Sequence, residues 1–203
     1  MANTSRIKGF TIVGAAHGSP ASSRVELFYV ASAADEILAG DIVKLASAGD
    51  AGGIAGCDLC GATDVPVGVV VGIVNPKLLP NGKMTTGGIV LDTPTSQQIA
   101  ASGSGYVLVN VDPDVVMEVE ASAATPVAAD LGLNASHANG SRDATTALSA
   151  ATIDMSTKAT TSTLNFNVRS FKQSPDNEVG ASAKMIVTFN RHQYRSVGNT
   201  GIA

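Results

Sequence analysis

The sequence predicts an all-β protein: a barrel or sandwich of about eight short strands, with extended terminal arms and at most one short helix. Three observations lead there. Apolar and polar residues alternate with a period of two in several short runs. Clusters of Gly, Pro and Asn separate those runs, and only one segment carries a helix-start signature.

The clearest alternation lies in residues 106–120, YVLVNVDPDVVMEVE. Val107, Val109 and Val111 share one face, and Val115, Met117 and Val119 share another. The Asp112-Pro113-Asp114 break between them has turn chemistry, so the stretch reads as a β-hairpin at the centre of the body. Its polar side, with Glu118 and Glu120, reads as a solvated outer face.

Taken in order, residues 1–24 are rich in Ser, Gly and Ala around one apolar run at 10–13, which suits an N-terminal arm. Residues 25–30 and 41–45 read as strands. Residues 65–74 (VPVGVVVGIV) form a β-branched run whose Gly68 and Gly72 predict a bulge or the close approach of another backbone. Pro80-Asn81-Gly82-Lys83 is a turn, and 88–91 a short strand. Thr125-Pro126 resembles a helix cap, giving one short helix over 127–131 that ends at Gly132. Residues 134–162 are a low-charge Ala/Ser/Thr/Asn tract, expected as a surface excursion pinned by a strand at 152–155. Residues 164–171 alternate, with Leu164, Phe166 and Val168 opposite Asn165, Asn167 and Arg169. In the last strand, 184–190, Met185, Val187 and Phe189 alternate against Ile186 and Thr188. The organisation is therefore an arm (1–24), a β-rich body (25–122), an excursion with one short helix (123–163), closing strands (164–190) and a basic tail (191–203).

Composition narrows the class. Charged residues are 15%, aromatics 4%, Trp is absent and mean hydropathy is +0.21, which argues against disorder. A weakly charged surface of small residues suits a component of an assembly. The net charge of −4 is unevenly spread: 1–24 hold Arg6, Lys8 and Arg24 with no acid, and the C-terminal segment is again basic. Basic ends on an acidic body suit docking onto an acidic protein surface, while no Lys/Arg stripe interleaved with aromatics points to direct nucleic-acid binding. The longest apolar run, 65–74, is far short of the ~20 residues that span a membrane. No secretory h-region precedes the body, so folding in a cytoplasm is expected.

Cys57-Asp58-Leu59-Cys60 is the sharpest motif, yet zinc needs four ligands and His17, His137 and His192 are scattered singly. Two free thiols in a loop are expected. Gly103-Ser104-Gly105 lacks the spacing of a nucleophile elbow, and no glycine-rich loop leads into a helix to cradle phosphate. Paired carboxylates occur at Asp112/Asp114 and Glu118/Glu120; the second pair, at i, i+2 on one strand face, could hold a hard cation or do acid–base work, but alternation favours a solvated face. Neither a catalytic set nor a cofactor or metal site is implied, and the chain reads as a non-enzyme.

Two sets of residues resemble a known family. Residues 39–45 (AGDIVKL), followed by 65–72 (VPVGVVVG), resemble the small β-barrel virion proteins of tailed bacteriophages. A second ordered set resembles phage structural proteins more closely: DLGLN at 130–134, a Ser/Thr/Ala-rich tract, a strand at 164–168, Pro175-Asp176-Asn177, NRHQ at 190–193 and Thr200-Gly201-Ile202. The resemblance implies a capsid decoration or cement protein on the outer surface of the virion, made in the host bacterial cytoplasm. Its implied partner is the major capsid protein, with self-association as a dimer or trimer and no membrane. The basic ends then supply candidate capsid contacts: Arg6, Lys8, Phe10, Arg191, Tyr194 and Arg195. Another virion component, such as a head fibre or tail protein, and a carbohydrate-binding β-sandwich are the alternatives.

Overall fold

The computed structural model describes residues 3–16, 24–33, 36–47, 49–74, 98–140 and 148–195. Within them lie thirteen strands. The first seven are β1 (Thr11–Ala15), β2 (Val25–Val30), β3 (Ile37–Leu38), β4 (Ile42–Ala46), β5 (Gly56–Leu59), β6 (Gly68–Val74) and β7 (Gln98–Ile99). Then come β8 (Gly105–Asn110), β9 (Val115–Ser122), β10 (Asn134–Ala138), β11 (Thr152–Ala159), β12 (Phe166–Phe171) and β13 (Lys184–Phe189). The all-β expectation holds, and the predicted helix at 127–131 is a single 3-10 turn, Ala128–Asp130.

The strands close into two rings. The first is a barrel in the order β2-β5-β4-β6-β8. In the second, β9 pairs with β11, β11 with β10, β10 with β12, β12 with β13, and β13 returns to β9. β1 adds to the free half of the β9 edge, and β3 and β7 form a separate two-stranded ladder. Closure satisfies main-chain groups that an open sheet would leave exposed.

Each ring has its own core. Phe28, Val30, Val43, Val70, Val107 and Val109 fill the first. Met117, Val119, Ile153, Met155, Phe166, Val187 and Phe189 fill the second, which also takes in Ile42, Cys60 and Val69 from the first. The alternation in 106–120 therefore identified inward faces correctly, but not what the strands pair with. β8 and β9 do not form a hairpin: β8 pairs with β2 and β6, and β9 with β1, β11 and β13. The break between them is the link from one ring to the other. Asn110 Oδ1 accepts from Asp112 N, and Asp112 Oδ1 from Asp114 N, so side chains hold the link in shape.

Gly68 and Gly72 behave as predicted. A Cβ on Gly68 would lie 2.1 Å from the Asn110 carbonyl, and the β6–β8 register shifts between Val70 and Gly72. The tract 123–163 is no surface excursion in its described part, because β10 and β11 are ring staves. Nor are residues 3–16 a loose arm: β1 is in the sheet and Phe10 is in the core. The strand expected at 88–91 and the turn at 80–83 lie outside the described residues, as do 17–23 of the arm and 196–203 of the tail.

Candidate functional site

The carboxylates of β9 are buried, contrary to the solvated face the alternation suggested. Glu118 is 4% and Glu120 6% exposed. Both point outward from the second ring, where the segment before β1 lies across them. Ser5 Oγ donates to Glu120 Oε1 at 2.7 Å, and the Arg6 backbone N–H to Oε2 at 2.8 Å. Lys8 and Lys172 flank Glu118 at 3.3 and 2.9 Å. Burial pushes the Glu118 carboxyl up, but the Lys172 hydrogen bond and both ammonium charges outweigh it and hold the group low. These acids fasten a strap.

The Cys57 and Cys60 thiols are free, buried and pushed up to about 12, chiefly by desolvation. Thiols so protonated are poor nucleophiles and poor ligands. Cys57 lies in β5 rather than in a loop. Among the described residues no group of three or more His, Cys, Asp or Glu could hold a metal ion, and no helix is long and apolar enough to cross a membrane.

The loop after Cys60 is where the rings join. Its Cys60 carbonyl accepts from Asn139 Nδ2 and bonds His137 Nε2, both at 2.8 Å. The Ala62 carbonyl accepts from Ser136 Oγ and Asn165 Nδ2. Gln193 completes the joint: its Oε1 accepts from Leu45 N, and its backbone N–H donates to Pro66 O. Burial lowers the pKa of His137 and carries His192 down to about 4, so both rings are neutral wedges at neutral pH. One more buried acid, Asp41, accepts from Leu38 N and Ser149 Oγ; desolvation raises it to about 6.

The candidate contact residues separate on the structure. Phe10, 3% exposed and stacked on Phe166, belongs to the core and offers no surface to a partner. Arg6 is exposed, and Lys8 is half-buried beside Glu118. Arg191 donates to the Thr163 carbonyl, and Tyr194 is 50% exposed. Arg195 is ion-paired with Asp114. At that pair opens a cleft of about 540 Å³, floored by the outer sides of β12 and β13. Asn167, Arg169 and Thr188 line it together with Pro113, Asp114 and Arg195. Sequence alternation had set Asn167, Arg169 and Thr188 on the polar side of their strands; the pairing Asn167↔Thr188, which makes them neighbours, comes only from the structure.

No protein-family model matches the chain, and neither a curated protein nor a solved structure does.

Proposed function

We propose that the chain is a virion structural protein that binds the outer surface of an assembled phage capsid and cements the shell. The observation that carries this reading is where the family-like residues fall. Asp130 accepts from Val127 N and pairs with Lys158, and Asn134 Nδ2 donates to the Thr161 carbonyl. Asn190 Nδ2 reaches the Leu164 carbonyl, Asn177 ties Lys172 to Lys184, and Gln193 joins the rings. All are framework residues, which suits a part selected for shape and rigidity. The acids and thiols that looked most like chemistry are likewise taken up by structural bonds or buried.

The exposed basic and aromatic groups at the chain ends, Arg6 and Tyr194, remain the proposed contacts with an acidic capsid surface. Lys8, Arg191 and Arg195 are already engaged within the chain, with Glu118, the Thr163 carbonyl and Asp114.

The test is quantitative mass spectrometry of purified virions, together with addition of the protein to shells that lack it. Many copies per particle, and shells that melt at a higher temperature once it is added, are the expected results. A chain missing from washed particles would remove the proposal. A few copies confined to the tail or a fibre by imaging would move the protein to the runner-up, another virion component.

A further inference from the structure

We infer that the cleft beside the Asp114–Arg195 pair binds an acidic sugar, a hydroxylated ring carrying one carboxylate. Three polar groups on its wall have no partner among the described residues. The Arg169 guanidinium makes no hydrogen bond or ion pair and is exposed. The Thr188 hydroxyl makes none either. Asn167 spends its Nδ2 on Gly132, Leu133 and Asn134, leaving Oδ1 without a donor. Because Asn167 and Thr188 are cross-strand partners that both line the cleft, their side chains are neighbours on its wall.

The charges and hydrogen-bonding types select the ligand. Arg195 and Asp114 neutralise each other, so among the described residues Arg169 is the one uncompensated charge on the wall. A single guanidinium matches a single carboxylate, which it can hold through two parallel N–H···O bonds. A polyanion would bring more charge than Arg169 can match, and the Asp114 and Asn167 oxygens can only accept hydrogen bonds. Those acceptors call for hydroxyl or amide N–H donors on the same ligand, and a sugar ring supplies them around its rim. The volume lies within the ~300–1,000 Å³ usual for small-ligand sites.

A peptide is the weaker candidate. Strand addition needs free main-chain groups, but β13 is paired on both sides, with β12 and β9. Val168 of β12 already exchanges both its groups with Gly132 and Leu133. Recognition here has to run through side chains. This inference does not depend on where the protein resides, so its failure leaves the capsid reading untouched.

The experiment is calorimetric and ligand-observed NMR titration of the full chain with glucuronate, N-acetylneuraminate, glucose and a glutamate-containing tripeptide. At least one acidic sugar should bind with a Kd of about 1 mM, and glucose about tenfold more weakly, a difference of ~1.4 kcal/mol. Arg169→Ala should weaken that binding about tenfold, and Thr188→Val by a few-fold, with unchanged melting temperatures. Binding of neither acidic sugar at about 50 mM, equal binding of glucose, or an unaltered Arg169→Ala variant would each overturn the inference. So would a tripeptide that binds as well as the sugars, since it would make the cleft a carboxylate grip for protein.

Discussion

Lys8 Nζ stands 3.3 Å from Oε1 of Glu118, so a charge on the incoming chain meets a buried acid on the outer side of β9. With Lys172 on the other oxygen, Glu118 is held on both sides under the strap.

Glu118→Gln should therefore destabilise the fold by about 2 kcal/mol at neutral pH, since two half-buried ammonium groups lose their counter-charge. The folded-state pKa of Glu118 lies below its ordinary value, so its contribution is present above the normal carboxylate range and fades as pH falls through the folded value. Denaturant melts from pH 7 to pH 3 should show the variant and the parent converging on acidification. A constant gap would remove the charge from the explanation.

Phe10 stacks on Phe166 with ring centroids 4.8 Å apart, although it lies in a segment that looked like an arm. Phe10→Ala should cost ~3–5 kcal/mol, the usual range for emptying an aromatic site in a core. Urea titration followed by circular dichroism gives the number. A loss below about 1 kcal/mol would mean that the second ring closes without it.

Gly68 approaches Asn110 too closely for any side chain. Gly68→Ala should open the β6–β8 seam and cost several kcal/mol, on the order of the largest single-residue effects. Gly180→Ala is the control, because a Cβ there meets nothing within 4 Å. Equal melting temperatures for the two variants would contradict the packing.

Asp41 gives a second pH signature of opposite sign. Its folded value of about 6 is above the ordinary 3.8, so its contribution to stability is fullest below that lower value and is lost as pH rises through about 6. Asp41→Asn abolishes the titration while keeping an acceptor for Leu38 N. Relative to the parent, the variant should gain on the order of 2–3 kcal/mol between pH 4 and pH 7. A parent-to-variant difference that stays flat across that interval would rule this out.

The inward faces were legible in residues 106–120, 166–168 and 184–190, because a period of two records which side chains avoid water; it failed at Asn165, set on the polar side but fully buried. Partnership was not. Alternation carries no sign of which edge a strand meets, so 106–120 looked like a hairpin when its two halves serve different rings. β10 was invisible for another reason. Its NASHA sequence is polar, and Asn134, Ser136 and His137 are buried against main-chain carbonyls and a neighbouring hydroxyl rather than against apolar side chains. Glu118 and Glu120 misled for a third, since a strap from more than a hundred residues earlier covers them. The cleft was half legible: its polar residues stood on the correct sides, and only the register brought them together.

The topology also sets an order of events on the ribosome. The first ring uses only β2, β4, β5, β6 and β8, so it is complete once Asn110 has left the exit tunnel. β1 is translated before any of these, yet its partner β9 comes after all of them. β1 is thus made ahead of its partner strand by the whole of the first ring, and Phe166, on which Phe10 stacks, follows Phe10 by more than 150 residues. Vectorial synthesis separates the two halves of the Phe10–Phe166 stack by the making of the entire first ring.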